Sequence, residues 1–225
     1  KIPTDGKLIM YADDPAHEWI DTIVPKHVQV DVHVNVQVDV HVPVPGKHMQ
    51  TNAALVLALA DLLEVSNAAE SLREYKGCWR RSEVKGETKG GALVIDDYGH
   101  HPTEVKLTLE GLKEHYPDQR LILVFQPHTN DRTKKFYDQF LTAFTSADLV
   151  IIPNIFAARS DRDSDKVDPQ KLIEDIKKGS SVEVMYGESL EKTAELLKNQ
   201  ILKNNDLLVT MGAGDVWKVA EELLR

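Results

Sequence analysis

Short apolar runs alternate with longer amphipathic stretches through the second half of the sequence. The runs are about five residues long and occupy residues 92–96, 121–125, 149–153, 182–186 and 207–211. Stretches with apolar residues at helical spacing follow them, at residues 103–115, 132–145, 168–178, 189–204 and 215–224. Strands that alternate with helices predict βαβ units, so we expect an α/β fold with a mostly parallel sheet. Right-handed crossovers would place helices on both faces of that sheet.

Polar loops follow three of the predicted strands, at residues 97–103, 126–132 and 212–215. In open parallel sheets, ligands bind outside the carboxyl ends of the strands. Because all three loops fall at that edge, the sequence indicates a ligand site there.

The first half of the chain has a different organisation. Residues 51–64 are apolar on nearly all sides, which predicts a buried helix. Residues 66–75 predict a second helix, which begins after a serine or asparagine cap. The segment GCWRR at residues 77–81 interrupts this pattern. We therefore predict two domains, residues 1–84 and 85–225, with the boundary near residues 84–90.

Valine occupies every even position from His27 to Val44. Strict alternation predicts a strand with one apolar and one polar face, although eighteen residues exceed the usual strand length. Histidines and aspartates on the polar face, among them His33 and His41, could hold a metal. The alternatives are a solvated strand face, a hairpin, or a segment of low complexity without a function of its own.

Composition excludes several classes of function. A net charge of −9 argues against binding to a nucleic-acid backbone. The single cysteine, Cys78, excludes an internal disulfide and a thiolate metal cage, and it fits a reducing compartment. No apolar run approaches the ~20 residues that span a bilayer, and the opening residues KIPTDG read as a turn rather than a signal peptide. We expect a cytoplasmic protein without a membrane or nucleic-acid partner and leave its oligomeric state open.

The segment DDYGHHP at residues 96–102 carries the densest set of functional side chains. Adjacent histidines on an extended loop point apart, so a shared metal is disfavoured, and we assign no metal ligands. Neither serine nor cysteine stands at a nucleophile elbow. The loop could instead grip a ligand, with Asp97 accepting hydrogen bonds, Tyr98 stacking on a base and Thr103 capping the next helix. An Asx-rich turn around a buried histidine is an equal alternative.

Four further segments each have a structural alternative. In FQPH and the residues after it, Arg132 could clamp a carboxylate or phosphate and His128 could donate or carry a proton, unless Arg132 is a surface arginine. PGKHMQTN is a glycine turn into a helix rather than a GxxxxGK[ST] loop. Arg80 and Arg81 form a basic pair that would be solvated if it has no function. MGAGD is a glycine turn and is weak evidence alone.

Together and in this order, PGKHMQTN, GCWRRSEV, VIDDYGHHPTEV, FQPHTNDRT and MGAGD resemble the Mur ligases of peptidoglycan synthesis. The opening IPTDGKLIMYADDP is similar to the central domain of that family, and the resemblance omits only about residues 21–42. It implies that residues 1–84 are a partial α/β central, ATP-binding domain that lacks the P-loop. Residues 85–225 would be the whole Rossmann-like C-terminal domain.

The resemblance implies an ATP-dependent amide-bond ligase, whose substrates would be UDP-N-acetylmuramate and L-alanine. ATP would phosphorylate the muramate carboxylate, the amine of L-alanine would attack the acyl phosphate, and Mg²⁺ would neutralise phosphate charge. On the nucleotide side, His48 and Asn52 would border the adenine. Arg81 and Asp97 would contact the ribose or phosphates, and Tyr98 would lie beside the nucleotide.

On the amino-acid side, the resemblance implies that His100, His128 and Arg132 face L-alanine and the acyl phosphate. The chain departs from the family at Met49, where asparagine is usual, and at Thr129, where a basic residue is common. The resemblance within these 225 residues does not include the family's UDP-sugar domain, its P-loop or its upstream glutamate and histidine metal ligands. We therefore expect no turnover from this chain alone. The alternative function is a non-catalytic module that binds a nucleotide or an amino acid.

Overall fold

The computed structural model describes residue 9, residues 42–156 and residues 166–225. The chain divides into two compact units, Lys1–Lys76 and Gly77–Arg225. The division precedes the boundary expected after residue 84, because the strand Glu83–Glu87 pairs with a strand of the second unit. The valine repeat before residue 42 and the IPTDGKLIMYADDP segment, apart from residue 9, lie outside the described residues.

In the first unit, two helices overlap the predicted ranges 51–64 and 66–75, α1 at Lys47–Leu62 and α2 at Ala68–Arg73. Val42, Val44 and Ala53 form a small buried cluster with residues of both helices. The expectation that the first helix is buried on nearly all sides is wrong for the part of the chain that the structure describes. Val56 and Leu59 of α1 are exposed, and so is Leu63, which follows the helix directly.

The second unit contains a six-stranded sheet. Its strands are β1 Glu83–Glu87, β2 Leu93–Asp97, β3 Arg120–Phe125, β4 Leu149–Pro153, β5 Glu183–Glu188 and β6 Asp206–Met211. Their order in space is β1-β2-β6-β3-β4-β5, and every neighbouring pair is parallel except β1 with β2. The predicted mostly parallel sheet is therefore confirmed. The antiparallel edge strand β1 was not predicted, because it carries charged residues and a glycine instead of an apolar run.

Helices cover both faces of this sheet, as predicted. They are α3 Pro102–His115, α4 Asn130–Lys135, α5 Tyr137–Phe140, α6 Pro169–Gly179, α7 Leu190–Leu196 and α8 Trp217–Leu224, and a π-helical turn, Leu197–Ile201, continues α7. One core cluster includes Leu109 of α3 and Leu172 of α6, while the other includes Ala194 of α7 and Val219 of α8. Because both faces are covered, the central strands are almost wholly buried, which explains their continuous apolar runs.

The expectation of one helix over residues 132–145 is wrong. Phe136 leaves the helical conformation, with φ −108° and ψ 17°, so two short helices form instead. After this break, Phe140 and Phe144 pack their rings against each other and against Phe125 in the core. Among the helices that the structure describes, none is long and apolar enough to cross a membrane.

Candidate functional site

Three loops meet at the carboxyl ends of the neighbouring strands β2, β6 and β3. We name them the tyrosine loop (residues 98–101), the glycine turn (residues 212–216) and the QPH loop (residues 126–129). Backbone hydrogen bonds join them, since the Gly212 amide donates to Asp97 O at 3.1 Å and the Gln126 amide donates to Met211 O at 3.0 Å. The convergence that the strand order predicts is therefore present.

Asp97 closes β2 and is only 5% exposed. One carboxylate oxygen accepts from the amide of Ser82 at 2.7 Å and from its hydroxyl at 3.2 Å, and the other accepts from the Gly99 amide at 2.7 Å. Burial raises the pKa of the Asp97 carboxyl, while these hydrogen bonds and the charge of Arg81 oppose the rise. In this arrangement the carboxylate holds the tyrosine loop to the segment that carries Arg81.

Two guanidinium groups lie close to the ring of Tyr98. The Cζ atom of Arg80 lies 5.2 Å from the centre of the Tyr98 ring, and that of Arg81 lies 5.4 Å from it. Both distances are within cation–π range. Arg81 itself is exposed to solvent, so the structure brings together an aromatic face and an accessible cation.

His100 and His128 lie side by side on different loops. Their ring centres are 6.0 Å apart, and His100 Nδ1 lies 3.1 Å from Tyr98 O. The His128 ring stacks on Phe156 with centres 5.1 Å apart and planes 12° apart. Two backbone hydrogen bonds fix this pair, from Thr129 N to Phe156 O and from Phe156 N to Pro127 O. Phe156 follows β4 and was not predicted as part of the site.

Arg132 lies in the first turns of α4, just beyond the QPH loop. Its amide donates to the Thr129 hydroxyl at 3.4 Å, while Thr129 itself has a left-handed φ of 64°. Among the described residues, the guanidinium of Arg132 forms no hydrogen bond or ion pair. Arg132 is therefore a cation available to an anionic group.

The two adjacent histidines have different environments. His101, not Thr103, is the N-cap of α3, because the helix begins at Pro102 and His101 Nδ1 accepts from the Thr103 amide at 3.2 Å. The Glu104 carboxylate accepts from the amides of His100 and His101, each at 3.0 Å. In the part of the chain that the structure describes, no three His, Cys, Asp or Glu side chains form a potential metal-binding group.

Arg80 is buried, at 3% exposure, so the alternative of a solvated basic pair is wrong for this residue. Its Nε donates to Asp96 Oδ2 at 2.6 Å, and its two terminal nitrogens donate to the carbonyls of Gly212 (2.6 Å) and Gly214 (3.2 Å). The other Asp96 oxygen accepts from the Thr210 hydroxyl at 2.6 Å. Sequence reasoning missed this cluster, since nothing in the pair RR distinguishes the buried arginine from the exposed one.

Close packing explains the two glycines of the glycine turn. Gly212 has a φ of 144°, and a Cβ there would lie 2.6 Å from Gln126 O. A Cβ at Gly214 would lie 2.6 Å from a ring carbon of Phe156 and 2.8 Å from Gln126 Oε1. The glycine turn therefore rests directly on the QPH loop and on the ring that stacks with His128.

His48 and Asn52, the remaining predicted site residues, lie one turn apart on α1 in the first unit. The His48 imidazole folds back on Gly46, where a Cβ would lie 2.5 Å from it, and Asn52 is exposed. The first two turns of α1 therefore carry the polar side chains of His48 and Asn52.

Comparison with known proteins shows the family to which this chain belongs. The family model described as "Mur ligase, glutamate ligase domain" matches residues 80–214. A UDP-N-acetylmuramate–L-alanine ligase from Desulfosudis oleivorans is 42% identical over 183 residues, which are 80% of this chain and 39% of that protein. The chain thus spans about two fifths of the length of this relative.

Solved structures show the same fold. The UDP-N-acetylmuramate–alanine ligase from Thermotoga maritima matches with a TM-score of 0.63 and 28% identity, over 80% of this chain and 37% of that one. A MurF ligase from Thermotoga maritima in complex with ADP matches with a TM-score of 0.65 and 17% identity, over 98% of this chain and 53% of that one. The second likeness supports the fold alone.

Proposed function

Because the chain belongs to the Mur ligase family, we propose that it forms the nucleotide- and amino-acid-binding part of a ligase that joins L-alanine to UDP-N-acetylmuramate using ATP. One observation carries this proposal. Tyr98 with Arg81 and His100 with His128 lie on adjoining loops at one edge of the sheet. The names of the relatives supply the substrates.

The nucleotide side of the proposed site consists of Arg81, Tyr98 and Asp97. An exposed guanidinium over an aromatic ring suits a nucleotide, since the cation pairs with phosphate oxygens and the ring offers a stacking face. Asp97 would act mainly by holding this loop, because its oxygens already accept three hydrogen bonds. We propose separately that His48 and Asn52, on α1 of the first unit, contact an adenine base.

The amino-acid side consists of His100, His128 and Arg132. The guanidinium of Arg132, which forms no hydrogen bond or ion pair among the described residues, would bind the L-alanine carboxylate through two parallel N–H groups. An amine attacks only after it has lost its proton, and an imidazole is the side chain best suited to accept a proton near neutral pH. We assign this acceptor role to the neighbouring imidazoles of His100 and His128.

ATP, when bound, supplies the phosphoryl group that activates the muramate carboxylate. The 225 residues contain no GxxxxGK[ST] loop, and the described residues present no converging set of metal ligands. We expect this chain to bind ligands without turnover when it is alone, and amide formation from ATP, UDP-N-acetylmuramate and L-alanine would contradict that expectation.

Binding measurements on three arginine variants test the proposal. We expect Arg81→Met to weaken ADP binding in calorimetry by about 10-fold or more, as the loss of one charged hydrogen bond predicts. Arg132→Met should weaken L-alanine binding in an NMR titration and leave ADP binding unchanged. Arg73→Met is the matched control, because Arg73 is an exposed arginine at the end of α2.

The outcomes separate the alternatives. If the protein binds neither ADP nor L-alanine, the proposed site is wrong. If Arg81→Met and Arg132→Met each weaken both ligands equally, the division into two sides is wrong. If only one ligand binds, a simple binding module explains the chain better than a ligase site.

A further inference from the structure

The side chain of Arg80 does more than neutralise Asp96. Only Nε faces the Asp96 carboxylate, whereas the two terminal nitrogens reach the carbonyls of Gly212 and Gly214. Asp96 lies near the end of β2, whereas Gly212 and Gly214 lie in the glycine turn after β6. The fork of a planar guanidinium therefore spans the two neighbouring strand ends.

The backbone of Arg80 holds the tyrosine loop. Its carbonyl accepts from the Tyr98 amide at 2.7 Å, and its guanidinium lies 5.2 Å from the centre of the Tyr98 ring. Arg80 has a φ of 55°, a conformation that glycine adopts more readily. A long side chain in this conformation is consistent with contacts that hold it there.

The carbonyls that Arg80 holds also set the position of the third loop. Gly214 packs directly on the Phe156 ring, and Phe156 stacks on His128 of the QPH loop. A displacement of the glycine turn would therefore move Phe156, and with it the imidazole of His128. Arg80 thus contacts two loops directly and the third through Gly214 and Phe156.

We propose that Arg80 is a positioning residue that holds the three strand-end loops in one arrangement. It fixes the position of Tyr98, on the proposed nucleotide side, relative to His128, on the proposed amino-acid side. Lysine cannot replace it, because one ammonium group cannot reach the carboxylate and both carbonyls in the same geometry. The purpose of this arrangement rests on the proposed function, but the arrangement itself can be tested without ligand.

The test separates positioning from charge neutralisation by a matched pair of variants. Asp96→Asn removes the buried negative charge and leaves Arg80 without its counter-ion, but both carbonyl acceptors of its terminal nitrogens remain. The double variant Arg80→Met/Asp96→Asn also removes the charge but loses both carbonyl bonds. In ¹H–¹⁵N spectra of the 225-residue chain, we compare the amides of Tyr98 and Gly214 and the imidazole of His128.

We expect the His128 imidazole and Gly214 amide of Asp96→Asn to match the wild type within a linewidth. In the double variant both should move by more than a linewidth. If the double variant coincides with Asp96→Asn at His128, Arg80 is only a counter-ion and the proposal fails. Should the double variant not fold, Arg80→Lys gives the same comparison, because it keeps the positive charge and loses the fork.

A ligand titration tests whether the arrangement held by Arg80 matters for binding, and its outcome is independent of the ligand-free spectra. If the wild type binds both ligands, Arg80→Lys should weaken ADP and L-alanine together, whereas Arg81→Met weakens ADP alone. An Arg80→Lys effect confined to ADP would contradict the coupling of the two sides. If neither ligand binds, the proposed function fails while the spectra still decide the role of Arg80.

Discussion

Replacing Gly214 by alanine tests whether the glycine turn sets the position of His128. The new methyl carbon would lie 2.6 and 2.7 Å from two ring carbons of Phe156 and 2.8 Å from Gln126 Oε1. Gly214 does not have a left-handed φ, so the substitution adds no backbone strain and its effect is steric. Because the Phe156 ring has a stacked imidazole on it, the ring can move only if His128 moves as well.

Overpacking of this kind costs typically about 1–3 kcal/mol. For a domain of this size, that loss lowers the melting temperature by about 2–12 °C. The assay combines thermal unfolding with the imidazole resonances of His128. We expect Gly214→Ala to lower the melting temperature and to shift those resonances together.

Gly90→Ala is the matched control. Gly90 also has an ordinary φ, but the nearest atom to a Cβ there is Thr88 Oγ1, at 3.8 Å. The same chemical change should therefore be neutral or stabilise the protein by up to about 1 kcal/mol. If Gly214→Ala has the same melting temperature as Gly90→Ala and leaves the His128 resonances unchanged, the glycine turn does not set the position of the imidazole and the reasoning is refuted.

Three further predictions concern groups outside the three loops or at their rim. Burial and the hydrogen bond to Asp175 raise the pKa of Tyr137 to about 12. The protonated Tyr137 should therefore stabilise the folded protein fully below about pH 10, and this contribution should be lost as the pH rises through about 12. In an ultraviolet titration, Tyr137→Phe should remove this late transition, and its persistence would contradict the assignment. Asp206→Ala should lower the free energy of unfolding in urea by about 1.5–3 kcal/mol, because Asp206 is buried and accepts from Arg120 and from the Lys203 amide. A loss below about 0.5 kcal/mol, which is within the usual range for surface substitutions, would show that the ion pair of Arg120 and Asp206 is not stabilising. Burial acts to raise the pKa of Glu104, but the amides of His100 and His101 outweigh it and hold the pKa below its usual range. Glu104→Ala should therefore lower the free energy of unfolding by about 1 kcal/mol near neutral pH. The difference from the wild type, measured in urea, should shrink as the pH falls through the depressed pKa of Glu104. A difference that does not depend on pH would exclude the carboxylate as its source.

The alternation of apolar runs and amphipathic stretches was enough to predict the sheet and its helical layers. A strand with helices on both faces needs apolar side chains on both faces, so β3, β4 and β6 are recognisable as continuous runs. Order along the chain also predicted which loops meet, because parallel strands end at the same edge. The residue types at those ends, including Tyr98 and His128, then indicated a ligand site.

Local pattern was not sufficient where a tertiary contact decides the conformation. Edge strand β1 has no apolar run, and only its pairing with β2 makes it a strand. The helix break at Phe136 likewise precedes two aromatic side chains that pack together in the core, a contact that helical spacing alone does not reveal.

Sequence by itself determined the layered α/β fold, the family and the edge of the sheet where the polar loops gather, because these follow from hydrophobic periodicity and from motifs in order. Only the tertiary structure decided the burial and the hydrogen-bond partners of each side chain at that edge. Arg80 and Arg81 are chemically identical neighbours, yet one is buried against Asp96 and two carbonyls while the other faces solvent. The physical reason is that burial and hydrogen-bond partners are set by strand ends more than a hundred residues away, at Gly212 and Gly214.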